Sequence, residues 1–297
     1  MRVGSFLTAS QRRLAALLYR LSLNLPRSRL GDAIISVARF YHFHQRLPLR
    51  RNSFNDTLCR MQLSGELDHF LRVFTSDKEF VKFFQAGIVG PEHVVDTIAV
   101  IHDEEQLRRF EFPERCCIKA TAGSGEVMIV EDGIVDRDEL AGWLQRTQYD
   151  ATRERNYKPL KPKIIVEPLI FDDPAVDNIK CFLVNGKVRL IQSDEDRFTD
   201  MKRRFYDTQW NDVPGTVGGP AAKNPRHRPG NIDAMIRAAE LVGSHFGFVR
   251  IDMYTNDEHF FMGEITHNHG ASLQKFFPPE SERSLSQFLF ADSEPRD

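Results

Sequence analysis

The stretch Phe248–Gly270, FVRIDMYTNDEHFFMGEITHNHG, constrains the fold more than any other part of the chain. Two runs of alternating residues, Phe248–Tyr254 and His259–Ile265, flank a short turn around Asn256 and Asp257, which is the pattern of a β-hairpin. A strand pair buries one face only if its apolar residues fall together, and a one-residue slip sends them to opposite faces. A three-residue loop meets that demand by pairing Met253 with Phe261 and Asp252 with Met262. It gathers Val249, Ile251, Met253, Phe261 and Ile265 on one side. The other side then carries Arg250, Asp252 and Glu264, with Arg250 opposite Glu264. Two readings of that polar face stay open. One is a solvated surface with a cross-strand ion pair. The other is a Mg²⁺ site, with Thr266 or Asn268 adding an oxygen and phosphates completing the shell.

Composition narrows the setting. The chain has 297 residues, 41% hydrophobic and 28% charged, enough for one large α/β domain or two to three lobes. No apolar run approaches the roughly 20 residues of a membrane span, and no cleaved signal peptide is expected at the N-terminus. Cys59, Cys116, Cys117 and Cys181 lack metal or redox spacing, so a reducing cytoplasm is expected. The net charge of −2 hides an asymmetry: residues 1–51 hold ten arginines and one acid, Asp32. A basic arm on an acidic body implies a partner for the arm, either an anionic membrane surface, an anionic polymer or the body itself. The acidic body argues against nucleic acid.

Along the chain, Ser10 caps an expected helix to about Leu23, with Leu14, Leu17, Leu18 and Leu21 as its apolar stripe. That stripe suits either a membrane interface or docking on the body. Asp32–Phe43 and Asn55–Gln62 are helix-like, and SDKEFVKFF (76–84) reads as one capped helix. The HxH pair His42 and His44 lacks a third ligand in reach. Strands are expected at 94–101, 116–120, 127–131 and 164–171, with helices at 102–110 and 138–148. Lys180–Val184 and Lys187–Ser193 should pair across Asn185–Gly186, and Asn231 caps a helix running into the hairpin.

Outside the hairpin, Lys119 ends a strand and is followed by Thr121, Gly123, Ser124 and Gly125. Glycines there let backbone N–H groups close over phosphate oxygens while the lysine adds a point charge; an ordinary hairpin turn is the competing reading. It is neither a Walker loop nor a dinucleotide fingerprint. Glu167 interrupts the apolar strand IIVEPLIF, where a carboxylate needs partners. It could accept from a ribose or pair with a basic neighbour. Lys180 begins a strand and could reach phosphates. Arg197, Lys202, Arg203 and Arg204 make a basic cluster suited to an anionic substrate or to a solvated face.

In order, IKATAGSG (118–125), IIVEPLI (164–170), Lys180 and VRID…GEIT resemble the ATP-grasp superfamily. Together with SDK (76–78), IKCFLVNGKVRLIQSDEDRF and KRRFYDTQW, they are most similar to its TupA-like branch, named for teichuronopeptide synthesis. The resemblance covers roughly residues 50–280 and implies an α/β (α+β) ATP-grasp fold holding a nucleotide between two lobes. The organisation it implies is a basic helical extension (1–50), an N-terminal lobe (51–115), a lid with the Gly-rich loop (116–170) and a C-terminal lobe with the metal hairpin (171–297). By the same resemblance Lys119 and Lys180 contact ATP phosphates, and Thr121 with Gly123–Gly125 covers them. Glu167 and Leu169 line the adenosine site, Asp252 and Glu264 hold Mg²⁺, and Arg250 faces the transferred phosphoryl group. The superfamily commonly ends E-I-N-x-x-P-G; here Thr266 stands at the asparagine and His269 at the proline, so Thr266 or Asn268 must supply the third metal ligand. The activity implied is an ATP- and Mg²⁺-dependent carboxylate–amine ligase that adds an amino acid to a uronic acid of a surface polysaccharide. Arg197, Arg203 and Arg204 would bind the carboxylate, and the protein would be cytoplasmic, peripheral on the inner membrane face through residues 1–51. A glycan kinase and a non-catalytic polymer-binding protein are the rival expectations.

Overall fold

The computed structural model describes residues 9–172, 177–195, 202–219, 221–222 and 224–291. Helices α1 (Ala9–Ser22) and α2 (Arg29–His44) form an N-terminal pair, followed by α3 (Phe54–Ser64), α4 (Phe70–Ser76) and α5 (Phe80–Val89). The expected single helix over 76–84 is broken. Asp77 leaves the helical region, and its carboxylate accepts the Glu79 N–H at 2.9 Å, so the SDK segment is a joint between α4 and α5. A local side-chain acceptor here outcompetes the helix ladder.

A four-stranded antiparallel sheet comes next, built from β1 (Ala99–Ile101), β2 (Cys116–Ala120), β3 (Val127–Val130) and β4 (Ile164–Glu167) in the order β1-β4-β2-β3. Helices α6 (Glu104–Arg109) and α7 (Arg137–Trp143) cover one face and bury Leu107, Leu140 and Trp143 against Ile118, Ile164 and Val166. A short helix, α8 (Gln148–Thr152), leads back towards β4. The β4 strand stops at Glu167 instead of running to 171, because Pro168 has no N–H for the ladder.

The larger sheet has six strands in the order β11-β10-β5-β6-β7-β8, all antiparallel. These are β5 (Asp177–Val184), β6 (Lys187–Glu195), β7 (Lys202–Tyr206), β8 (Asp212–Val213), β10 (Phe248–Thr255) and β11 (Phe260–Thr266), while β9 (Thr216–Val217) pairs with β12 (Phe276–Phe277). The β5–β6 turn is the expected one: Val184 pairs with Lys187, and Asn185 and Gly186 take φ of 50° and 75°. Positive φ at both central residues is what a two-residue I′ turn requires.

One face of this sheet is apolar along its length. Ile179, Cys181, Val249, Ile251, Met253 and Ile265 pack there against Ile232, Met235, Ala239 and Val242 of α9 (Ile232–Gly243). The opposite face is divided. Phe182, Phe205 and Phe248 at one end bury Phe54 and Leu58 of α3 and Leu285 and Leu289 of α10 (Ser281–Phe290). The other end carries Asn178, Lys180, Asp194, Arg250 and Asp252, all buried. A polar half-face enclosed within a fold is expensive unless its groups pair with each other or with a ligand.

The N-terminal pair corrects one expectation. Helix α2 docks on the body: Asp32, 2% exposed, accepts from Tyr149, Arg153 and Arg155, and Arg39 donates to the Thr152 carbonyl at 2.6 Å. Helix α1 turns Ala15 and Ser22 inward and leaves its stripe outward, with Leu14, Leu17, Leu18 and Leu21 between 47% and 59% exposed. The leucines therefore do not fasten the arm to the body. His42 stacks on Tyr19, and His44 Nε2 meets the Ser272 carbonyl at 2.9 Å, so the HxH pair is used in packing. No described helix is long and apolar enough to cross a membrane.

Candidate active site

The hairpin forms, but in a different register. Thr255 pairs with Phe260, Tyr254 with Phe261 and Met253 with Met262, around a four-residue loop in which Asn256 Oδ1 accepts the N–H groups of Glu258 and His259. The register then shifts by one, so that Ile251 pairs with Ile265 and Arg250 with Thr266. Gly263 and Glu264 together face Asp252 as a β-bulge. The bulge explains the mismatch. Before it, Met262 and Phe260 fill the apolar face and Phe261 turns to the other side, against Phe171. After it, Ile265 returns to the apolar face and Glu264 joins Arg250, Asp252 and Thr266. Glycine is required at 263, since a Cβ would sit 2.9 Å from the Asp252 carbonyl oxygen and 2.9 Å from the Tyr254 ring. The Gly263 carbonyl accepts from buried Gln85 of α5 at 2.8 Å.

Arg250 is 9% exposed and gripped on both sides. Nε and Nη2 donate to the two Asp252 oxygens at 2.6 and 2.8 Å, and Nη1 donates to His269 Nδ1. Burial alone would lower its pKa, but Asp252 and Glu264 hold it raised. Burial followed by the charges of Arg250, Arg203 and Lys180 keeps His269 well below the usual histidine range, hence neutral. With Nδ1 accepting, its proton sits on Nε2. Across the strand, Lys180 Nζ lies 3.0 Å from Asp194, 3.4 Å from Asp252 and 2.8 Å from Asn178 Oδ1.

A second charged set comes from the smaller sheet and α5. Lys119 at the end of β2 and Lys82 in α5 both converge on Glu167, at 2.5 and 2.6 Å. Burial pushes the Glu167 carboxyl up, but Lys119 and Lys82 together bring it below the usual range. The Lys119 ammonium, which burial would lower, is raised by Glu167, and its Nζ lies 5.7 Å from the centre of the Tyr254 ring in β10. Lys78, at the α4–α5 joint, donates to the Gly123 carbonyl at 2.6 Å and reaches to 3.8 Å from Glu264. One cleft is thus lined by Lys119, Gly125 and Glu167 from the small sheet, Lys78 and Lys82 from α5 and its approach, and Tyr254, Gly263 and Glu264 from the hairpin. A glycine-rich loop and several lysines facing two carboxylates make a polyphosphate–cation environment.

The sequence model for TupA-like ATP-grasp proteins matches residues 59–290. The chain belongs to that family. The two antiparallel sheets with helices around them are the expected α+β arrangement. The fold is similar to that of the ATP-grasp ligase PsnB complexed with a minimal precursor, at 17% identity and TM-score 0.39, covering 81% of this chain and 68% of that one. It is also similar to D-alanine–D-alanine ligases from Bacillus anthracis and Helicobacter pylori. The first shows 17% identity, TM-score 0.40 and coverage of 72% and 63%; the second 14%, 0.42, 76% and 60%. The chain spans less than two thirds of either D-alanine ligase. No curated protein matches it.

Within this ATP-grasp chain the expected residues divide. Lys119, Gly125, Glu167 and Glu264 line the cleft, Gly123 accepts from its Lys78, and Lys180, Arg250 and Asp252 form the joined polar set on β5 and β10. Thr121 is buried and ties the loop's base, its N–H bonding the Lys163 carbonyl at 2.8 Å and its carbonyl accepting from Lys78 N at 3.0 Å. Ser124 is exposed at the loop tip, and Leu169 follows the end of β4 half-buried. Thr266 donates to Glu264 Oε1 at 2.7 Å, which orients the glutamate. Asn268 is tied through Nδ2 to Gln62, leaving a buried Oδ1 with no hydrogen-bond partner. Two carboxylates and that oxygen suit Mg²⁺, which shares its shell with phosphates; among the described residues no three His, Cys, Asp or Glu side chains converge as a metal cage.

The basic cluster does not act as a unit. Arg203 and Arg204 are consecutive in β7 and face opposite ways: Arg203 meets Asp194 at 3.3 Å, Arg204 meets Asp212 at 2.6 Å. Strand alternation forbids both from gripping one carboxylate. Arg197 lies outside the described residues. Sequence reasoning missed Lys78, Lys82 and Asp194. The signal for Lys78 was its place in the SDK segment; Lys82 carries no local signal beyond its place in α5. Asp194 shares the parity of Arg203 and of Lys180's neighbour Asn178.

Proposed function

We propose that the protein is an ATP- and Mg²⁺-dependent carboxylate–amine ligase working through an acyl-phosphate, and that it joins an amino acid to a uronic acid of a surface polysaccharide or its precursor. Membership of the TupA-like family supports the reading. The observation that carries it is the cleft where the Lys119–Glu167–Lys82 set faces the Asp252–Glu264 hairpin. Lys119, Lys180, Lys78 and Lys82 bind phosphate oxygens of ATP, Thr121 and Gly123–Gly125 close over them, and Glu167 with Leu169 lines the adenosine. Asp252, Glu264 and Asn268 hold Mg²⁺, with Thr266 orienting Glu264. When bound, the ion neutralises charge on the phosphates. Arg250, fixed by Asp252 and neutral His269, points its remaining donors at the transferred phosphoryl group, which is positioning plus charge stabilisation. The substrate carboxylate attacks the γ-phosphorus as the bond to the ADP oxygen breaks, and an amine then displaces phosphate from the acyl carbon. Arg203 is the arginine retained for an anionic substrate. Residues 1–51 hold the enzyme peripherally on the anionic inner membrane face in the cytoplasm.

Isothermal titration with ATP and Mg²⁺ tests the site: micromolar binding is expected, and its absence would favour a polymer-binding protein over any enzyme.

A further inference from the structure

Another cavity, of about 580 Å³, opens away from the ATP cleft, between the chain at 50–53 and helix α10. Arg50, Arg51 and Arg283 line it. Among the described residues none of these three guanidinium groups has an ion-pair or hydrogen-bond partner. The one acid of the lining, Glu282, is already engaged. Its Oε1 accepts from Ser53 Oγ at 3.2 Å and from Asn55 Nδ2 at 3.1 Å, and lies 3.5 Å from Arg46. Ser53 is also the N-cap of α3, whose dipole adds to the positive potential at this end. Three guanidinium groups around one concavity repel each other, so an anion that bridges them is held by all three.

The rest of the wall decides which anion fits. It is made by Asn52, Ser53, Ser286 and Gln287, with no apolar or aromatic side chain in the lining. A nucleobase needs an apolar slot, and a membrane takes apolar side chains, which the leucine stripe of α1 presents and this cavity does not. Amides and hydroxyls instead match sugar hydroxyls, which both donate and accept. Planar guanidinium forks match carboxylates. We propose that this cavity binds a stretch of acidic polysaccharide, with uronate carboxylates on Arg50, Arg51 and Arg283 and ring hydroxyls on the Asn52 and Gln287 amides. The same turn of α3 touches the active site: the Phe54 ring meets the ring of His269, the partner of Arg250, at 5.9 Å between centroids. A chain gripped here keeps its neighbouring sugars near the cleft, which raises their effective concentration. Binding at this cavity needs no turnover and so stands apart from the ligase reading.

The test titrates the full chain with hexagalacturonate, with maltohexaose as the neutral comparison and phosphatidylglycerol vesicles as a rival source of negative charge. Hexagalacturonate should bind, and bind more weakly as salt is raised; maltohexaose should not bind. Arg50→Gln, Arg51→Gln and Arg283→Gln combined should lower the hexagalacturonate affinity about tenfold or more, the loss of at least one charge-assisted hydrogen bond. Circular dichroism and thermal unfolding report that the combined variant is folded. Failure of the wild-type chain to bind hexagalacturonate, equal binding of maltohexaose, or unchanged affinity in the combined variant overturns the proposal. Loss of vesicle flotation in that variant with hexagalacturonate affinity kept overturns it too, and assigns the arginines to lipid headgroups. ATP titration, on which the ligase reading stands or falls, is independent of each of these outcomes.

Discussion

Glu154→Gln should change how stability depends on pH. In the folded protein the Glu154 carboxyl is pushed up to about 7 from an ordinary 4.5, mainly by burial, with Arg39 and hydrogen bonds from Thr152 and Gln148 pulling the other way. Between pH 4.5 and 7 the folded state keeps a proton there that the unfolded chain has lost, so this group's contribution to stability falls as pH rises. The full change is about 3 kcal/mol, at about 1.4 kcal/mol per pH unit. Glutamine does not titrate, so the variant lacks this slope. The attraction of Arg39 for the ionised carboxylate is already contained in this shifted pKa. Urea unfolding at pH 5, 6, 7 and 8 should show the variant gaining on the wild type by about 3 kcal/mol between the lowest and highest pH, with no further gain above pH 8. Parallel stability curves would refute the reasoning, because they would mean that Glu154 ionises normally in the fold.

Asp32→Ala removes the acceptor shared by Tyr149, Arg153 and Arg155 and should destabilise the protein by about 3–5 kcal/mol in urea, as broken buried ion pairs do; a loss under 1 kcal/mol would contradict the docking of α2. Gly263→Ala forces a Cβ against the Asp252 carbonyl, so it should cost about 1–3 kcal/mol and weaken Mg²⁺-dependent ATP turnover together; retained turnover would show that the bulge does not set Glu264. Asp252→Asn and Glu264→Gln should each lower ATP-dependent turnover at least about a hundredfold, since even outer partners of metal ligands are worth about 10–100-fold. In flotation assays the full chain should rise with anionic vesicles and stay down with zwitterionic ones, and a variant with Leu14, Leu17, Leu18 and Leu21 changed to serine should not rise with either.

The hairpin, the Asn185–Gly186 turn and the Lys119 glycine loop were legible because each rests on local pattern, and the polar face of Arg250, Asp252 and Glu264 survived a wrong register. It survived because the bulge at Gly263 and Glu264 shifts Phe261 and Met262 but returns Glu264 to the same parity. The glycine was the one local clue to that bulge. The opposed faces of Arg203 and Arg204 were readable from alternation once β7 was recognised as a strand. The contact of Lys82 with Glu167 was not readable. The two lie far apart in the chain and meet only when α5 packs against the end of the small sheet, which no periodicity encodes.

Product analysis tests the central claim most directly: the protein is incubated with ATP, Mg²⁺, glucuronate and an amino acid, and the products are read by mass spectrometry. The account predicts ADP and free phosphate in equal amounts with a product that is the two substrates less one water. A glucuronate carrying a stable phosphoryl group, with no free phosphate, would contradict it.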